Sequence, residues 1–308
     1  MNIGKKSAVA GLLSVAMLGG GVAVASSGIT FMPKGDNVQL KCKGGMDSHS
    51  QIFQDGMLIF EGDPEVTVDL AVDYGDVFDD NGTPDNPNDD VLAGFRVEAV
   101  SLGTHAGTHI DVPNHFIEGA RGITELAADE FVWPVYVVDV RGINNFEAAL
   151  TIEDIKAYEA ANGKIEPGSL VVMQTGLEDL YDNPYDPNDI YGSDFFADGN
   201  PGFSGDTVQW MFEERGIAGT GSDAYGPDSS ADFDFSATYT TLLNDGVAVV
   251  VLNNLDALSV RGDLLIAPPV KLLDGTGFSV NPISCQGSKS APRTPMNFEF
   301  PSDSNGAD

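Results

Sequence analysis

Positive charge is scarce in this chain. Its 308 residues carry 15 lysines and arginines against 47 aspartates and glutamates, a formal net charge of −32. Repulsion on that scale excludes nucleic acid and an anionic lipid surface as natural partners. Carboxylates spread over a surface hold water and resist association, which suits a salty medium. Histidine is scarcer still, at four residues, and cysteine occurs twice. Beyond the first 25 residues no apolar run is long enough to span a bilayer. A hydrophobic content of 42% over this length is ample for a continuous core, in one large domain or two small ones, so disorder is not the default expectation.

The first residues follow a different pattern. Lys5 and Lys6 precede an apolar stretch from Ala8 to Val24, interrupted by Gly19, Gly20 and Gly21, and Ala23-Val24-Ala25 stands before Ser26. This is the layout of a secretory signal peptide with an A-x-A cleavage site. An uncleaved anchor is the rival reading, which the short, glycine-broken apolar region disfavours. The expectation is a periplasmic or secreted protein, with no membrane contact after cleavage. In an oxidising compartment Cys42 and Cys285 could form one disulfide tying the terminal segments together, or they could be two unrelated thiols. Neither has a histidine or basic cluster beside it in sequence to activate a thiol.

Along the chain, Ile52 to Phe60 is the one expected strand before about Gly62. Residues 79–90 are too rich in Pro, Asn and Asp to be other than a loop, either a solvated acidic loop or a calcium site. From Val91 strand and helix signals alternate. Strands are expected over 95–102, 135–140, 170–174 and 247–252, and helices over 151–161, capped by Thr151, and 206–215, ended by Gly216. A second acidic, aromatic loop over 181–201 is long enough to rim a site. The segment after Cys285 has no periodic pattern and reads as a disordered tail.

Three of the four histidines, His105, His109 and His115, fall within eleven residues. If 102–111 runs extended, His105, His109 and Asp111 share a face while Thr104 and Thr108 point the other way. Two imidazoles and a carboxylate on one face suit a borderline divalent metal such as Zn, Mn or Fe, with coordination positions left open. The i, i+4 spacing of His105 and His109 also invites a helical zinc-peptidase reading. Ala106 stands where that motif needs glutamate, and Gly107, Thr108, Ile110 and Pro113 oppose a helix. His115 lies beyond Pro113, which ends the strand, and is suited to general acid/base work near neutral pH. His49 sits outside this cluster and reads as a solvated loop residue. Asp223 and Asp228, in a glycine-rich stretch, read as structural carboxylates closing turns. Gln174 and Thr175 end a buried strand and are candidate substrate-binding groups.

The run His105-x-Gly107-Thr108-His109-x-Asp111-x-Pro113-x-His115 resembles the signature H-x-G-T-H-x-D-x-P-x-H of the cyclase / kynurenine formamidase family, which includes isatin hydrolase. Every fixed position matches. Leu170 to Gly176 resembles the family's strand ending in Thr-Gly, and Phe203 to Asp228 its helix followed by Gly221-x-Asp223-x-x-x-x-Asp228. The resemblance implies an α/β fold, a mixed β-sheet curved into a barrel-like core with outer helices of the swivelling β/β/α kind. It also implies a homodimer or larger homo-oligomer and hydrolysis of an amide or lactone bond in a small-molecule substrate. Formamidases of the family commonly add a late histidine and glutamate for a second metal, whereas residues 239–254 contain neither. One divalent ion per chain, Mn2+ or Zn2+, is therefore expected, held by His105, His109 and Asp111, with His115 catalytic and Ca2+ an option in the acidic loops. The domain reading is a signal peptide at 1–25, an N-terminal segment at 26–90, the hydrolase domain at 91–285 and a tail at 286–308. A non-catalytic metal- or calcium-stabilised binding module on the same fold is the competing function. A cyclase or dehydratase sharing the metal chemistry is a third.

Overall fold

The structure, a computed structural model, describes residues 30–34, 37–57, 59–74, 77–79, 91–92, 95–143, 145, 147–180, 199–287 and 295. The expected signal peptide, residues 80–90 of the first acidic loop, 181–198 of the second and all but one residue of the tail from 288 lie outside these. Among the described residues no helix is long and apolar enough to cross a membrane.

Nine strands form one mixed sheet: β1 (Gly45–Ser48), β2 (His109–Asp111), β3 (Val132–Asp139), β4 (Leu170–Gln174), β5 (Gly219–Ser222), β6 (Val247–Val250), β7 (Arg261–Ile266), β8 (Gly277–Ser279) and β9 (Ile283–Gln286). Their spatial order is β8-β2-β6-β5-β4-β3-β7-β9-β1. The sheet is curled into a half-barrel with few helices, as the resemblance implied. The central four, β3, β4, β5 and β6, are parallel. Parallel neighbours need a crossover, and α1 (Ile152–Asn162), α2 (Gly205–Arg215) and α3 (Ser236–Leu243) supply the three required. The flanking strands β2, β8, β7, β9 and β1 pair antiparallel.

The central strands are buried on both faces, which is why 170–174 and 247–250 read as unbroken apolar runs. Alternation still sorts their side chains. Val135, Val137, Leu170, Val172, Val247 and Val249 enter one core with Ile110 and Leu265. Tyr136, Val138, Val171 and Met173 enter another with Ile155 and Tyr158 of α1 and Val208 and Met211 of α2. Both predicted helices form as their caps dictate. Thr151 Oγ1 accepts from the Asp154 N–H at 3.4 Å, and the Asp154 carboxylate accepts from the Thr151 N–H at 2.7 Å. Gly216 ends α2 in the left-handed region, at φ 65°.

Three local expectations change. Ile52 to Phe60 is not a strand: Asp55-Gly56 turns the chain, and Phe53 and Met57 pack beneath Ala106 and Val66 instead of joining a ladder. The 95–102 strand forms as Val97–Ser101, yet it pairs with Thr67–Val72 in a separate two-stranded ribbon and is exposed throughout. His49 is fully buried, not solvated, with Nδ1 3.1 Å from the carbonyls of both Asn253 and Asn254. The pairing of β1 with β9 pulls this segment into the fold. Beside that pair, Cys42 and Cys285 are joined in a disulfide, closing a sequence separation of 243 residues.

Candidate metal centre

His109 and Asp111 lie two residues apart on β2, so both side chains leave the same face. His105 reaches them by a different route from the one expected. Residues 104–108 are not extended; they turn through Gly107, which sits at φ +58°. A Cβ there would lie 2.7 Å from Met57 Cε and 3.1 Å from the Phe53 ring, so glycine is required both for the turn and for the packing beneath it. On the neighbouring strand β8, a Cβ at Gly277 would come within 2.5 Å of His105 Cε1, so that glycine leaves the imidazole its space.

One donor atom each from His105, His109 and Asp111 lies within 4.8 Å of the others. Asp111 Oδ1 is 2.7 Å from His105 Nδ1 and 3.3 Å from His109 Nε2. The outward nitrogens are occupied: His109 Nδ1 is 2.7 Å from the Gly107 carbonyl, and His105 Nε2 is 2.9 Å from Thr276 Oγ1. Donation of those outer protons, the tautomer that orients histidine ligands in metal sites, would free each inner nitrogen's lone pair for a cation. The donor set therefore fits a borderline divalent cation. Burial alone would raise the Asp111 carboxyl, but the His109 and His105 imidazoles hold it well below the usual carboxylate range. Burial likewise disfavours charge on His109, and Asp111 beside it overrides that and raises its pKa. Thr108 points away, as alternation requires. Its buried hydroxyl donates to the Val251 carbonyl at 2.5 Å and accepts from the Gln51 N–H at 2.8 Å, pinning the motif to the end of β6.

His115 ends a short 3-10 turn, Pro113–His115, and comes back over the site. Its ring stacks on that of His105, centroids 3.9 Å apart. Burial lowers its pKa, with Asp111 opposing. All four residues border a cavity of about 540 Å³. Rings follow one another along its wall: His115 to Phe116 at 4.9 Å, Phe116 to Phe235 at 6.2 Å, Phe235 to Phe60 at 6.3 Å and Phe60 to Tyr225 at 6.2 Å.

A family model described as putative cyclase matches residues 48–229. The chain belongs to the cyclase family. Among curated relatives, the isatin hydrolase of Roseibium aggregatum is 31% identical over 193 residues, spanning 59% of this chain and 72% of that protein. The kynurenine formamidase of Erythrobacter litoralis is 25% identical over 226 residues, 73% of this chain and 87% of that one. Isatin hydrolase A from Labrenzia aggregata, solved with benzyl benzoate bound, shares the fold with a TM-score of 0.62 at 24% identity, covering 78% of this chain and 93% of its own.

Within this cyclase fold other expected groups fall elsewhere. Gln174 and Thr175 do not border the cavity. Gln174 is buried and donates to Glu178 Oε1 at 2.5 Å, and Thr175 donates through N–H and hydroxyl to Asp223 Oδ1 at 2.8 and 2.9 Å. Both face polar groups at the end of β4. Asp223 also accepts from the Gly176 N–H at 2.8 Å, and Asp228 accepts from the N–H groups of Ala237 and Thr238 at the start of α3. Both carboxylates thus tie down backbone N–H groups, and Asp228 also borders the cavity. The sequence reading missed Phe60, Asp63, Phe116, Tyr225 and Phe235 on the cavity wall. Phe116 adjoins the motif and Tyr225 lies between Asp223 and Asp228, so those two carried a local signal; the others carried none.

Proposed function

We propose that this protein is an exported metal-dependent hydrolase that opens the amide or lactone bond of a small aromatic carbonyl compound. One observation carries the reading: the two imidazoles and carboxylate converge at the floor of a cavity walled by aromatic rings. The isatin hydrolase and kynurenine formamidase relatives support the same reaction class. The export component rests on Lys5, Lys6 and Ala23-Val24-Ala25.

His105, His109 and Asp111 would hold a single divalent ion. When bound, such an ion polarises a carbonyl and makes water a competent nucleophile near neutral pH. The rest of the task falls to this chain's side chains. Phe116, Phe235 and Phe60 would stack against the substrate ring and exclude bulk water. His115 would take a proton from the attacking water and deliver it to the departing nitrogen or oxygen as the carbonyl carbon–heteroatom bond breaks, leaving an amine or alcohol and a carboxylic acid, which loses water's second proton to solvent. Its stacking on His105 keeps the ring over the site without making it a ligand.

Metal-loaded protein should open at least one of isatin, formanilide and an aryl lactone, and lose that activity on chelation. No turnover of any amide or lactone by protein of verified metal content would overturn the hydrolase reading and favour the binding module.

A further inference from the structure

Apart from the three histidines, the charged side chains among the described residues that border the cavity are all carboxylates. Asp63, Asp228 and Asp232 border it beside Asp111, and no lysine or arginine among the described residues does. Two of the wall carboxylates are engaged elsewhere. Asp228 is bonded to the first backbone N–H groups of α3 and to the Thr238 hydroxyl. Asp232 accepts from the Asp234 and Ser236 N–H groups and the Ser236 hydroxyl.

Asp63 is different. It is half-buried, and its carboxylate has no hydrogen-bond or ion-pair partner among the described residues. It borders the same cavity as His105, His109, Asp111 and His115, so its negative field falls across the site. The rings of Phe60, Phe116, Phe235 and Tyr225 add to the same field, because an aromatic face is the negative end of its quadrupole.

We propose that the cavity accepts a neutral or cationic aromatic substrate and rejects one bearing an anionic group on its ring, and that Asp63 sets this preference. The proposal rests on the hydrolase reading above for the identity of the cavity as a substrate site. With the reacting carbonyl held at the ion, an anionic substituent elsewhere on the ring would lose solvation and meet Asp63, with no lysine or arginine among the described wall residues to replace the lost water. A cationic substituent would gain both the Asp63 carboxylate and the ring faces.

Two measurements on metal-loaded protein at low ionic strength test this. The first is calorimetric binding of three phenyl probes of similar size, benzyltrimethylammonium, benzyl alcohol and benzenesulfonate. The second is hydrolysis of formanilides bearing a 4-aminomethyl group, a 4-carboxylate or its methyl ester. Benzenesulfonate should bind weakest, and the carboxylate should show a kcat/KM roughly threefold to tenfold below its ester, the scale of a partly screened charge pair. Asp63→Asn should narrow both differences, as should added salt. Benzenesulfonate binding as tightly as benzyltrimethylammonium, no binding of any probe, or differences unchanged in Asp63→Asn would overturn the proposal. If the binding order holds while no anilide or other amide or lactone is opened, the hydrolase reading fails and the charge preference stands. Turnover without a charge order defeats the preference alone.

Discussion

The imidazole of His115 lies flat on that of His105, with the ring planes 21° apart, while His105 Nδ1 is 2.7 Å from Asp111 Oδ1. One residue thus orients the candidate acid/base and contributes to the ligand set. The two functions should separate on substitution. His109→Ala or Asp111→Ala removes a donor, so metal content and activity should fall together. His115→Ala should keep its metal and lose turnover by roughly 10²- to 10⁴-fold, with substrate binding less affected. His105→Ala should lose both. A metal-free His115→Ala protein would make His115 a ligand and require another base.

Metal stoichiometry follows from the donor inventory. The cluster of His105, His109 and Asp111 can hold one ion, and residues 239–254 contain no histidine or glutamate to add a second. Elemental analysis should find about one transition-metal ion per chain. Two tightly bound ions per chain would refute the single-site assignment.

The Cys42–Cys285 bridge joins the segment entering β1 to β9 across 243 residues of sequence. Closing so long a loop restricts the unfolded chain most, so Cys42→Ser should lower unfolding free energy by about 2–5 kcal/mol. Thermal melts with and without reductant check this. Identical melting temperatures would show that the bridge contributes nothing.

Glu178 supplies a pH-dependent stability difference away from the histidines. Burial, reinforced by Asp223 and Asp256, pushes its pKa up to about 7, while the Leu255 N–H and Gln174 pull the other way. The folded state therefore holds a proton that the unfolded state has already released. This contribution is complete below the unfolded value near pH 4.5 and is lost as pH rises through about 7. Its scale is roughly 1–3 kcal/mol. Glu178→Gln should flatten the fall in melting temperature between pH 5 and 8, and a slope equal to wild type would assign that fall to other groups.

Compartment is checked at the N-terminus. If Lys5, Lys6 and Ala23-Val24-Ala25 direct export and cleavage, protein recovered from its native host should begin at or near Ser26. Intact Met1 on cytoplasmic material would exclude it.

What the sequence determined by itself is local and periodic. The caps at Thr151 and Gly216 act within one helical turn, and the apolar runs of β4 and β6 declare burial on both faces. The His105 to His115 motif names its donors because histidine is otherwise so scarce in this chain. Tertiary structure decided everything that depended on residues distant in sequence. The bend at Gly107 that swings His105 onto Asp111 is shaped by Phe53 and Met57 packing beneath it. The cavity wall assembles Phe60, Phe116, Tyr225 and Phe235 from segments with no common pattern. His49 becomes buried only because β9 comes back to pair with β1. Periodicity and capping depend on neighbours a few residues away, whereas a cavity wall depends on which surfaces pack together once those elements have formed.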